Sequence, residues 1–167
     1  MYNYNNIENI SENNLEVIPV FFATDDNYVP FLAVSIKSLL ANANKDYFYN
    51  LHILTDGISE ENQEKLGELL TDNAKLVFDN VSDHVKKIKS RLDATLRDYY
   101  TSSIFYRIFI SSLYPEYKKV IYLDCDIAVI GDISKMYNIS LQTASDVMRR
   151  LANSKDIKIV ECPIETV

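Results

Sequence analysis

Four short apolar runs punctuate this chain, and each of the first, second and fourth ends in a polar, acid-rich cluster. Glu16 to Ala23 (EVIPVFFA) runs into Thr24-Asp25-Asp26-Asn27. Tyr49 to Leu54 (YNLHIL) runs into Thr55-Asp56-Gly57, and Lys119 to Leu123 (KVIYL) runs into Asp124-Cys125-Asp126. Runs of this length, bounded by turn residues and rich in β-branched and aromatic side chains, read as buried strands. Between them the apolar residues recur at helical spacing. Leu32, Ile36, Leu39 and Leu40 follow Pro30, which suits a first helical turn. Leu66, Leu69 and Leu70 form the stripe of a second helix, which Ser59 can cap with Glu60 and Glu61 in its first turn.

A third strand is expected over Lys75 to Phe78, a polar helix over Val81 to Leu96, and a helix over Ser102 to Leu113 with Ile104, Phe105, Ile108 and Phe109 inward. The order strand, helix, strand, helix, strand, helix, strand predicts an α/β fold with a mostly parallel sheet and helices on both faces. Pro19 is expected to keep the early part of the first strand outside the ladder. Ile127 to Ile130 is expected to continue as a short strand. Residues 1–14 read as a polar leader, residues 15–141 as one domain, and residues 142–167 as a segment of different character, with a helix over Thr143 to Ala152 and a strand over Ile157 to Val160.

Composition narrows the function. A net charge of -7 disfavours nucleic acid and anionic membranes as partners. No long apolar run is present, so a chain without a transmembrane segment, in the cytoplasm, is expected. Two cysteines, Cys125 and Cys162, make no disulfide framework. With three glycines there is no Gly-rich phosphate loop, so a nucleotide has to be held by other means.

Asp124 and Asp126 offer carboxylate oxygens, which hard cations such as Mg²⁺ or Mn²⁺ prefer. In open α/β sheets ligands sit beyond the carboxyl ends of the strands, so a metal there can hold a nucleotide diphosphate. Acidic turn residues also end strands for purely local reasons. Asp25 and Asn27 can read a base edge or ribose and Tyr28 can stack on a ring, although the same residues serve equally as a turn and helix cap. If the two strands are neighbours, both clusters face one crevice. Arg107, among Phe105, Tyr106, Ile108 and Phe109, is expected to pair with a carboxylate or a phosphate. His52 reads as packing, His84 as solvated, and Lys86-Lys87-x-Lys89 as a solvated helix face. Cys125, flanked by two aspartates, is a poor nucleophile because the charges raise its pKa.

Two other acidic-pair sites fail on spacing. A response-regulator receiver places its second acid one βαβ unit after the first, whereas Asp124 lies about a hundred residues beyond Asp25. A haloacid-dehalogenase-type phosphatase carries its Asp-x-Asp after the first strand, with a Thr where this chain has Ala128.

Taken together, Val20 to Tyr28 (VFFATDDNY), Ser35 to Leu40, His52 to Ser59 (HILTDGIS), Tyr106-Arg107-Ile108 and Lys119 to Ile127 (KVIYLDCDI) resemble the retaining glycosyltransferases of family eight. Bacterial lipooligosaccharide galactosyltransferases and glycogenin belong to that family. The resemblance covers about Ile18 to Leu141. It implies a GT-A (Rossmann-like) fold, a nucleotide-sugar donor, usually UDP-linked, and Mn²⁺ or Mg²⁺. By position Ala23, Thr24, Asp25, Asn27 and Tyr28 fall on the nucleoside-contacting segment, and Asp124 and Asp126 match the metal-binding Asp-x-Asp. Asp124 also faces the donor, and Arg107 matches a basic residue near the donor sugar and diphosphate, the candidate for a catalytic role. The implied reaction transfers a hexose with retention of configuration to a saccharide or glycolipid.

The family's later region supplies a third metal ligand, a histidine, and a lysine on the diphosphate. This sequence has no Trp and no His after His84, so that region has no match here. The expectation is therefore a donor-binding half with a short substitute C-terminus. Two alternatives stand beside transfer: a module that binds nucleotide-sugar and metal without transferring, and an interaction protein that uses the sheet edge. The sugar, the acceptor, and whether copies of the chain associate, are not legible.

Overall fold

A computed structural model describes residues 15–83, 86, 106–107, 110–140 and 142. Among the described residues four strands form one sheet: β1 (Glu16–Ala23), β2 (Tyr47–Thr55), β3 (Ala74–Asn80) and β4 (Ile121–Tyr122). The helices are α1 (Val29–Ala41), α2 (Glu60–Gly67), α3 (Ile110–Leu113) and α4 (Ser134–Tyr137), with a 3-10 turn over Asp26–Tyr28. The strand order is β3-β2-β1-β4, and every pairing is parallel. β1 and β4 meet through Val20 opposite Ile121 and Phe21 opposite Tyr122.

The period-2 alternation of β1 explains how the sheet is covered. Ile18, Val20 and Phe22 point to one face, where they pack with Leu32, Ile36, Leu39 and Leu40 of α1 and Leu66 of α2. Phe21 and Ala23 point to the other, against Tyr106, Ile110 and Tyr114. Helical residues thus cover both faces of a parallel sheet, the arrangement that such a sheet needs. Leu32 and Ile36 are wholly buried, and each such side chain contributes about 1.5–3 kcal/mol relative to exposure.

Pro30 sits in the first turn of α1 as expected. The strands β2 and β3 run longer than their apolar runs, and β4 is shorter. Pro19 does not hold the start of β1 out of the ladder: Glu16 to Pro19 pair in register with Tyr47 to Asn50 of β2. β4 begins its pairing only at Val20, so no donor toward that neighbour is required at Pro19.

Ile127 to Ile130 is not a strand. Its backbone groups are taken by polar side chains of α1 instead. The Ser35 hydroxyl lies 2.7 Å from the Cys125 carbonyl and 2.5 Å from the Ile127 carbonyl. Val129 donates its N–H to Ser38 Oγ at 2.9 Å, and Asn42 Nδ2 donates to the Val129 carbonyl at 3.0 Å. Backbone polar groups need partners, and a helix flank supplies them here without a sheet.

Ser59 does not cap α2 with its side chain. Its hydroxyl is directed to Asp26. Within the expected third helix, Tyr106 and Ile110 are buried, while Ile104, Phe105, Ile108 and Phe109 lie outside the described residues. So do residues 1–14, His84, most of Val81 to Leu96, and the helix and strand expected after Gln142. Among the described residues no helix is long and apolar enough to cross a membrane.

Candidate functional site

The two acidic clusters leave neighbouring strands at the same, carboxyl, end of the sheet. β1 ends at Ala23 and β4 at Tyr122, and Leu123 N–H still donates to the Phe21 carbonyl at 2.9 Å. The chain then diverges from β1 into the turn Asp124 to Asp126. This divergence of adjacent parallel strands is where open α/β sheets form a crevice.

On the β1 side, Ala23 and Thr24 are buried at the base of the loop. Thr24 N–H donates to the Leu54 carbonyl at 3.1 Å, extending the sheet by one bond. Asp25 is extended (φ -111°, ψ 178°) and caps the 3-10 turn. Its Oδ1 accepts from the N–H of Asn27 at 2.9 Å and of Tyr28 at 3.2 Å. The turn-and-cap reading of this cluster therefore describes Oδ1, while Oδ2 has no hydrogen bond among the described residues. Asn27 is exposed, and Tyr28 is half-exposed with its ring tilted against Phe31, centroids 5.5 Å apart.

On the β4 side, Asp124 and Asp126 are both exposed, with Cys125 half-buried between them. Burial is the main cause that pushes the Cys125 thiol up, Thr24 opposes it by hydrogen bonding, and the flanking aspartates add to the rise. The effect of the aspartates anticipated from sequence is thus present but secondary.

Arg107 completes the edge. Its Nη2 lies 3.6 Å from Asp124 Oδ1, and its guanidinium carbon lies 4.8 Å from the centroid of the Tyr122 ring. The separation is too long for a hydrogen bond. At about half exposure on both sides, such a pair is worth little to stability, and the guanidinium stays available to another anion. Tyr122 is pushed up to about 12, mainly by burial and against the lowering effect of Arg107, so it stays protonated under the arginine.

Among the described residues no group of three or more His, Cys, Asp or Glu could by itself hold a metal. The carboxylates of Asp124 and Asp126 are exposed on this turn.

Two features escaped the sequence reading. Asp26 Oδ1 accepts from Ser59 N–H, Ser59 Oγ and Asn62 Nδ2, tying the β1 loop to the start of α2. Only the turn preference of Asp was visible, because the donors lie more than thirty residues away. The second is a polar network behind the sheet. His52 Nδ1 lies 2.9 Å from Asp79 Oδ2 and His52 Nε2 lies 3.2 Å from Tyr117 Oη, which also accepts from Asn50 Nδ2 at 2.8 Å. The His52 ring stacks on Phe21 at 4.5 Å. His52 is thus a packing residue, as its alternation in the strand implied, and it also makes a side-chain contact with Asp79 that periodicity does not show.

Residues 19–160 match the family described as "Glycosyl transferase family 8", extending past Leu141. General stress protein A of Bacillus subtilis (strain 168) is 29% identical over 129 residues, covering 75% of this chain and 43% of that protein. Glycosyltransferase GlyB of Streptococcus pneumoniae serotype 4 is 32% identical over 124 residues, covering 73% and 28%. Among solved structures, the apo form of the bifunctional glycosyltransferase WbbM superposes with a TM-score of 0.64 at 26% identity, over 75% of this chain and 21% of that one. The galactosyltransferase LgtC, solved in complex with donor and acceptor sugar analogues, gives 0.58 at 27% identity, over 74% and 43%. The chain spans less than half the length of each of these proteins. From the family match over most of its length and the shared GT-A fold, the chain belongs to glycosyl transferase family 8.

Proposed function

We propose that this chain forms the donor-binding half of a metal-assisted hexosyltransferase that uses a UDP-linked sugar and retains its anomeric configuration. One observation carries the reading: the Thr24–Tyr28 loop and the Asp124–Asp126 turn leave adjacent parallel strands at one end of the sheet, with Arg107 beside Asp124. Membership of family 8 and the likeness to LgtC support it.

The nucleoside is read by the β1 loop. Ala23 and Thr24 form the buried base of the loop, Asp25 Oδ2 and Asn27 offer polar groups, and the half-exposed face of Tyr28 offers a stacking surface. The donor set at β4 fits a hard divalent cation, Mn²⁺ or Mg²⁺. Asp124 and Asp126 are exposed oxygen donors on one tight turn, and among the described residues the cationic partner of Asp124, Arg107, is held loosely. When bound, such a cation neutralises charge on the departing diphosphate. Asp124 and Asp126 supply part of its shell, leaving the remaining positions to phosphate oxygens and water. Arg107 places a fixed positive charge beside the diphosphate, held over Tyr122 rather than locked to a carboxylate. Its role is to orient the donor and to stabilise charge on the leaving group. Tyr122 keeps its proton, so it adds no negative charge to compete for Arg107.

Calorimetry of UDP binding tests the reading. Binding should be tighter in Mn²⁺ than in EDTA, and Asp126→Asn should remove the difference. Equal affinity in both buffers overturns the metal assignment. Assay of UDP-sugar hydrolysis and transfer over a donor panel, with and without Mn²⁺, then separates transfer from binding alone.

A further inference from the structure

We infer that Asp26 is a positioning residue that fixes the aromatic surface of Tyr28 for the nucleobase, an inference that rests on the donor-binding reading above. Asp26 lies between Asp25 and Asn27, yet its side chain does not share their surroundings. Its Oδ1 receives three donors from one place: Ser59 N–H at 2.9 Å, Ser59 Oγ at 3.0 Å and Asn62 Nδ2 at 2.9 Å. These hydrogen bonds hold the Asp26 carboxyl below its ordinary value. The carboxylate also meets the positive end of the α2 dipole. Ser59, the N-cap residue of α2, has surrendered its own capping bond to make this contact.

The consequence falls on the loop. Its start is fixed by Thr24 N–H on the Leu54 carbonyl, and its end by Asp25 Oδ1 on Asn27 and Tyr28. Among the described residues, Asp26 is the hydrogen-bonding tie from the middle of the loop to another element. The Tyr28 ring is half-exposed and meets Phe31 at a 40° tilt, so burial does not fix it. Its placement follows the backbone of Asp26 to Tyr28, and that backbone is anchored to α2 through Asp26. A ring already placed costs less to order when a base stacks on it.

The test is UDP affinity in Mn²⁺ for wild type, Asp26→Ala, Asp26→Asn, Tyr28→Ala and the Asp26→Ala/Tyr28→Ala double variant. Asp26→Ala should weaken UDP about tenfold, or ~1.4 kcal/mol. Asp26→Asn should stay within about threefold of wild type, because an amide oxygen accepts the same three donors. In the Tyr28→Ala background the effect of Asp26→Ala should fall below about twofold, since residues acting through one another are not additive. A merely structural role predicts the same loss in both backgrounds and overturns the inference, as does wild-type affinity in Asp26→Ala. If Asp26→Ala does not fold, Ser59→Ala removes one donor and runs the same cycle, with about threefold expected. Wild type that fails to bind UDP overturns the donor-binding reading and this inference with it. Wild type that binds, with Asp26→Ala unchanged, overturns this inference alone.

Discussion

Replacing Ser35 with alanine tests how the Asp124–Asp126 turn is held. Ser35 is wholly buried on α1 and has one hydroxyl hydrogen for two carbonyls, those of Cys125 at 2.7 Å and Ile127 at 2.5 Å. The two oxygens share it or take it in turn. Alanine removes the donor and leaves both carbonyls buried against a methyl group. A buried acceptor left without a partner costs about 1–3 kcal/mol. The lost Oγ leaves little void, so the hydrogen-bond term dominates. The flanking bonds from Ser38 and Asn42 to Val129 remain, and the loop should stay on α1 while its first half loosens. For a chain of this size, ~2 kcal/mol corresponds to a fall in Tm of about 4–8 °C. Thermal unfolding by circular dichroism and urea titration give the measurement. Because Asp124 and Asp126 flank the freed carbonyls, the Mn²⁺ enhancement of UDP binding should fall as well. A variant that melts within about 1 °C of wild type refutes the claim that this hydroxyl holds the turn.

Two further outcomes are expected. Tyr28→Ala should weaken UDP by about one to two decades, since base–aromatic stacking is worth ~1–3 kcal/mol; a folded variant with wild-type affinity makes Tyr28 a packing residue. Asp79→Ala leaves His52 Nδ1, 2.9 Å from its carboxylate, without that partner behind the sheet, and should cost about 1–3 kcal/mol in urea unfolding with UDP affinity unchanged; a larger effect on UDP than on stability contradicts a packing role for the network.

The sequence by itself determined the class of fold and the placement of most buried residues. Ile18, Val20 and Phe22 alternate with Phe21 and Ala23, and Leu32, Ile36, Leu39 and Leu40 recur at helical spacing. Each of these patterns is complete within one element, so local periodicity is enough to read it. The acidic clusters were legible for the same reason: they stand directly after apolar runs, and parallel strands carry their ligands at that end. The assignment of nucleoside, cation and Arg107 roles drew on resemblance across several motifs rather than on any one of them.

Tertiary structure decided how those pieces meet. The order β3-β2-β1-β4 makes β1 and β4 neighbours, which brings the two acidic turns to one end of the sheet and Arg107 to 3.6 Å from Asp124. It also overrode local preference at three places. Ser59 has the residue type of a helix cap but gives its hydroxyl to Asp26. Ile127 to Ile130 has the residues of a strand but gives its backbone to Ser35, Ser38 and Asn42. Pro19, a strand breaker by habit, sits in the ladder because β4 has not yet begun. For Ser59 and for the Ile127 segment the competing partner lies far along the chain, 33 residues for Asp26 and Ser59 and 92 for Ser35 and Ile127. A hydrogen-bonding group takes whichever partner the packed core brings within 3 Å, and sequence neighbours compete for it only when no such partner arrives.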